Sequence, residues 1–269
     1  MEKNIFKETI KRLNAKKNGY SLVTHKQGWL NFLQDGDLVF KPSELHQILR
    51  KVIQEFQPKG EKLLHQRNRD NFTVTDGKTP YRPEEALERF ITASNSDKFF
   101  NQVPIGGGKE SIDIVINENN VKYVFVELKP WSNTNSPLYA IVESLKNLME
   151  YRMIHKNNIT HNKDCKHYND VDLMILAPLS YYQHYDLTEG EQDKISKVQK
   201  ALNDLSNEFN TNISLMALTL TQDDFLDKLK RICEENKVSK QQIISITKSD
   251  AISELARDQW RRLVSSVQD

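Results

Sequence analysis

Residues 109–131 read KESIDIVINENNVKYVFVELKPW. Two apolar runs, Ser111–Ile116 and Val121–Leu128, flank the polar turn Asn117–Asn120, and this pattern predicts a β-hairpin. Side chains along a strand alternate between faces, so Glu127 and Lys129 share one face while Val126 and Leu128 take the other. The short turn makes the two strands neighbours. Asp113, set between Ile112 and Ile114, therefore converges on Glu127 and Lys129. A carboxylate and an ammonium at the end of a core strand cost stability unless they are paired or bind a metal.

On the N-terminal side of the hairpin, Pro83 suits the first turn of a helix, where its missing N–H costs nothing. Glu84, Glu85 and Glu88 follow at the positive end of the helix dipole, and Leu87, Phe90 and Ile91 form an apolar stripe. Gly106, Gly107 and Gly108 form a loop into the first strand. On the C-terminal side, a long helix is expected over Pro137–Ile154, a strand over Val171–Ala177 and a helix over Glu191–Phe209. A strand over Ile213–Leu220 and a helix over Gln222–Glu235 complete the alternation. One or two helices are expected over Gln241–Val267. Near the N-terminus, residues 3–18 and Pro42–Phe56 read as helices, with strand-like pieces at Tyr20–Thr24 and Leu38–Phe40. A strand hairpin followed by alternating helices and strands predicts an α/β fold, a mixed central sheet flanked by helices. The expected organisation is a mostly helical region over 1–78, the core over 79–225 and a helical extension over 226–269.

Two carboxylates with open coordination positions suit magnesium or manganese, hard cations that prefer oxygen ligands and keep waters. A lysine beside them can orient a water molecule and help deprotonate it. The set is chemically complete for hydrolysing a phosphodiester. Asp113 on one strand, with Glu127-Leu128-Lys129 closing the next, resembles the PD-(D/E)XK nuclease superfamily, over about Pro83–Leu220. Ile112 stands where the motif is named for proline. The resemblance implies a restriction-endonuclease-like core and a metal held by Asp113, Glu127 and the Leu128 carbonyl, with Lys129 serving the nucleophilic water. It also implies a further glutamate from the preceding helix, Glu84 or, as the alternative, Glu88. RecB-like members carry Gln-x-x-x-Tyr on the next helix, and Asn147 and Tyr151 have that spacing here.

The expected activity is a Mg2+- or Mn2+-dependent nuclease acting on DNA. The alternative is a binding-only module, for nucleic acid or protein, on the same fold. Lys109 beside the glycines, and Trp131 just past the site, are candidate nucleic-acid contacts with Asn147 and Tyr151. For Trp131 the favoured reading is an aromatic that closes the core beside the strand end. Gly108-Lys109 is no Walker loop, because Val103 and Glu110 stand where that motif needs glycine and Ser or Thr. His155, His161, Cys165 and His167 lack a common zinc spacing. Two cysteines are too few for an iron–sulfur cluster or a disulfide framework, so a reducing cytoplasm is expected. The first residues, MEKNIFKETIKRLNAKK, hold no apolar run that would suit a signal peptide or a membrane span. A net charge of +1 argues against a dedicated strong DNA binder but not against an enzyme. It points to targeting by a protein partner or the N-terminal region, and homodimers are common among nucleases of this type. Arg50, Lys51, Lys59, Lys62, Arg67 and Arg69 could track DNA, but Glu55, Glu61 and Asp70 dilute them and a solvated face is the default.

Overall fold

The computed structural model describes residues 5–15, 25–38, 40–56, 71–75, 79–80, 83–94, 96–105, 111–119, 122–131, 135–158, 170–188, 190–235, 242–245 and 255–266. In chain order the elements begin with three helices, α1 (Ile5–Ala15), α2 (Lys26–Asp35) and α3 (Pro42–Phe56). Then come β1 (Asn71–Thr75), β2 (Thr79–Pro80), α4 (Pro83–Ser94), β3 (Phe99–Pro104), β4 (Ser111–Asn117), β5 (Lys122–Leu128) and α5 (Pro137–Asn158). The remainder is β6 (Asp170–Pro178), α6 (Leu179–His184), α7 (Gln192–Phe209), β7 (Ile213–Leu218), α8 (Gln222–Glu235), β8 (Gln242–Ser245) and β9 (Arg261–Ser265).

The main sheet has six strands in the order β3-β4-β5-β6-β7-β9. Its centre, β5-β6-β7, is parallel, and β3, β4 and β9 add antiparallel edges. Parallel neighbours need a crossover, and α5 supplies it between β5 and β6. The expected α/β architecture with a mixed sheet between helices is therefore present.

Strand alternation splits the apolar residues into two cores. Tyr123, Phe125, Leu173, Ile175 and Leu215 face α5, α7 and the N-terminal helices, whereas Val124, Val126, Leu128, Met174 and Leu176 face α4 and α8. In α3, Leu45, Ile48, Leu49, Val52 and Ile53 repeat at helical spacing and are buried. Each such aliphatic side chain contributes about 1.5–3 kcal/mol on leaving water. The three N-terminal helices thus extend the larger core. Gly36 closes α2 in the left-handed conformation, φ 79°, with its N–H donating to the Phe32 carbonyl at 2.8 Å. Lys197 of α7 caps the same helix end through the carbonyls of Leu33 and Gln34.

Several expectations need correction. Lys26–Asp35 is a helix, and Phe99–Pro104 is a strand that the sequence reading missed. Leu38 lies in no strand, and Tyr20–Thr24 lies outside the described residues. Of the residues 241–267 expected to be helical, those described include no α-helix. β8 joins β1 and β2 in a small second sheet, and β9 pairs with β7 in the main one. Just before β9, Arg257–Gln259 forms a 3-10 turn. Among the described residues no helix is long and apolar enough to cross a membrane.

Candidate active site

The hairpin forms as its alternation predicts. Its antiparallel ladder runs from Asn117↔Tyr123 to Ile114↔Val126. One residue further sets Asp113 opposite Glu127. There a side chain takes over from the backbone ladder, and the Leu128 N–H donates to Asp113 Oδ2 at 2.8 Å. The Lys129 N–H donates to the Leu176 carbonyl at 2.9 Å and anchors the end of β5 to β6.

Glu127 and Lys129 share a face, and both are buried. Lys129 Nζ donates to Glu127 Oε1 at 2.5 Å and to Glu143 Oε2 of α5 at 3.0 Å. Glu143 was not among the expected site residues. The signal for it was present, since Glu143 lies one turn before Asn147 and two before Tyr151 on one helix face. Tyr139, a turn earlier again, sets its ring centroid 6.0 Å from Lys129 Nζ. The Tyr181 hydroxyl donates to the Asn135 carbonyl ahead of α5 at 2.8 Å.

The carboxylates outnumber the nearby ammonium, and their protonation reflects it. Burial pushes the Asp113 carboxyl up to about 7; Glu84 adds to the rise, while Lys129 and the Leu128 N–H oppose it. Burial, then the charge of Glu143, holds Glu127 well above the ordinary carboxylate range. Burial works against the Lys129 charge, but Glu127, Glu143 and Asp113 outweigh it and keep the ammonium protonated far above neutrality. Burial also opposes the Glu143 charge, yet Lys129 and a hydrogen bond from Glu127 outweigh that and leave Glu143 lowered.

Helix α4 aims two glutamates this way. Glu84 is half-buried and raised, first by burial; the Lys129 ammonium opposes that rise, and Glu143 adds to it. Glu88 is 1% exposed; burial, then Asp113, pushes it up to about 9. Its Oε2 accepts from Gln102 Nε2 at 2.5 Å, and its Oε1 is buried with no partner among the described residues. Gln102 lies opposite Asp113 across the β3–β4 register and holds φ at 50° in the middle of a strand. Its Oε1 accepts from the Ser111 hydroxyl at 3.3 Å.

The candidate nucleic-acid contacts fare differently. Trp131 is half-buried and stacks on Phe225 with centroids 5.1 Å apart, so the core-closing reading describes it. Tyr151 is in the core, edge-on to Phe125 at 5.3 Å. Asn147 is buried and accepts from Lys146 Nζ at 2.8 Å. Neither presents a surface to a nucleic acid in this structure. Lys109, with the glycine loop, and His161, Cys165 and His167 lie outside the described residues, as does the side chain of His155. Arg261 and Arg262 lie on β9 rather than on a helix, and Arg257 pairs with Glu118 at 2.6 Å.

The donor set suits a hard divalent cation. Asp113, Glu127, Glu84 and Glu143 offer only carboxylate oxygens, and burial and mutual repulsion raise the first three, a cost that a dication relieves. Among the described residues no three acidic, His or Cys side chains already converge on one metal-sized point, because Glu127 and Glu143 close on Lys129 and Asp113 on the Leu128 N–H. No protein-family model, curated protein or solved structure matches the chain.

Proposed function

We propose that this protein is a divalent-metal-dependent nuclease of the PD-(D/E)XK, restriction-endonuclease-like type, hydrolysing phosphodiester bonds in DNA. One observation carries the reading: Asp113 faces Glu127 across a hairpin whose next same-face residue is a buried, protonated lysine. Asp113 and Glu127 are the residues that would hold a magnesium or manganese ion, with the Leu128 carbonyl beside them and Glu84 reaching in from α4. When bound, such an ion supplies the charge that acidifies a water molecule and balances the phosphate. Lys129, donating to Glu127 and Glu143, is placed to orient that water and steady the developing negative charge. Asp113, tied to the Leu128 N–H, holds the strand end in place. Glu84 is favoured over Glu88, because it is only half-buried and its charge couples to both Lys129 and Asp113, while Glu88 is buried and already bonded to Gln102.

The test is cleavage of plasmid and single-stranded DNA with Mg2+ or Mn2+. Glu127→Ala is expected to lower the rate on the order of 100-fold or more. Cleavage at the wild-type rate by that variant would overturn the assignment.

A further inference from the structure

Lys129 stands between two carboxylates that come from different elements. Its Nζ is 2.5 Å from Glu127 Oε1 on β5 and 3.0 Å from Glu143 Oε2 on α5. Glu127 is also the carboxylate that the proposed cation needs. An ammonium and a dication on one carboxylate repel each other strongly where water is scarce. The arriving cation therefore requires somewhere for the lysine to go. Glu143, to which it already donates, is placed to hold it alone. Its side chain is 27% exposed, against 8% for Glu127 and 5% for Lys129, so it sits on the solvent side of the pair. It belongs to α5, a different element from the strand that ends in Glu127 and Leu128. The Tyr139 ring, one turn earlier on that helix, offers a second favourable surface to the ammonium.

We propose that Glu143 is a positioning residue that takes over Lys129 when Glu127 turns to a divalent cation. Lys129 then remains beside the site, fully charged, without competing for the metal. This rests on the nuclease reading only in that Glu127 binds the cation. In the step Glu127 releases its proton to solvent, and Lys129 Nζ gives up its hydrogen bond to Glu127 while keeping the one it already makes to Glu143.

A double-mutant cycle read by Mn2+ titration calorimetry on the full chain tests it. Glu143→Gln keeps the shape but not the charge, and is expected to weaken Mn2+ binding roughly 10-fold, the loss typical of groups that support a metal ligand. In a Lys129→Met background the same change is expected to have almost no effect, since no ammonium needs a new partner. Unchanged affinity in Glu143→Gln overturns the proposal. So does a loss that persists undiminished in Lys129→Met, which would make Glu143 a direct ligand. If the wild type binds no Mn2+, the nuclease reading falls and this inference with it; binding by the wild type with no effect of Glu143→Gln sinks the inference alone. A second measurement needs only the mild variant: amine acetylation followed by peptide mass spectrometry, with Mn2+ present. Lys129 is expected to stay protected in the wild type and to label several-fold faster in Glu143→Gln. Equal labelling of the two proteins overturns the proposal.

Discussion

Asp113 releases its proton near pH 7 rather than near 3.8, with burial as the first cause. Folded Asp113 binds its proton more tightly than unfolded Asp113, so it makes the metal-free protein less stable as pH rises between about 4 and 7. A cation must displace that proton. Mn2+ affinity is therefore expected to climb with pH through about 7, with Glu127, also held high, adding to the rise, which calorimetry across this range will show. A flat profile would remove Asp113 from the ligand set. Glu88 gives a separate check. Because its carboxyl is pushed up to about 9, the folded protein loses stability as pH rises from about 4.5 toward 9. Glu88→Gln mimics the neutral acid and is expected to flatten that decline in thermal melts while leaving the fold intact. Gln102 offers a third. A non-glycine residue at positive φ in a strand stores on the order of 1 kcal/mol. Gln102→Gly and Gln102→Ala both lose the bonds to Glu88 and Ser111, but only Ala keeps the strain. Gly should be the more stable by about 1 kcal/mol in urea titrations, the reverse of the usual ranking in strands.

The hairpin could be read from the letters because its period of two is local and its turn is short. β3 could not. FFNQVP carries a polar pair at its centre, and its pairing partner is supplied by β4 across the glycine loop. The C-terminal strands were mistaken for helix because Ile252, Leu255, Leu263 and Val264 fall near helical spacing, and RRLVS is too short for alternation to speak against it. What makes RRLVS a strand is the open edge of β7, a tertiary fact. Glu143 escaped notice for a related reason. α5 is buried on nearly all sides, Ser144, Lys146, Asn147 and Glu150 included, so its polar residues do not mark an outer face. Asp113, Glu127 and Lys129 could be picked out as candidates from the letters, whereas nothing in the letters shows that Gln102 bonds Glu88. The N-terminal helices gained a role that no motif announced. Phe6 of α1 meets Tyr139 edge-on, with centroids 4.7 Å apart, so α1 braces the helix that carries Glu143. Phe6→Ala is expected to cost about 3 kcal/mol or more in chemical denaturation. A loss below about 1 kcal/mol would mean that α1 is only loosely attached.

The whole molecule places its candidate chemistry at the carboxyl end of β5, where three parallel strands finish and the antiparallel hairpin turns back. Crevices at such strand ends are where open α/β sheets commonly bind their ligands. The second, smaller sheet has a bearing on how this site comes into being. β1 and β8 pair from Asn71↔Ser245 to Val74↔Gln242, closing a loop of roughly 170 residues, and α4 packs on β1 and β2. The hairpin, by contrast, joins residues a few positions apart. Contacts of such different sequence separation form at different speeds. After dilution from denaturant, the helical signal should return first, and the proposed Mn2+ site, to which Glu84 of α4 would contribute, should be completed in a slower phase. Stopped-flow circular dichroism set against Mn2+ binding will show whether the two are separate or coincide. Separate phases would mean that the chain matures its metal site last, holding a folded body that is still inert toward nucleic acid.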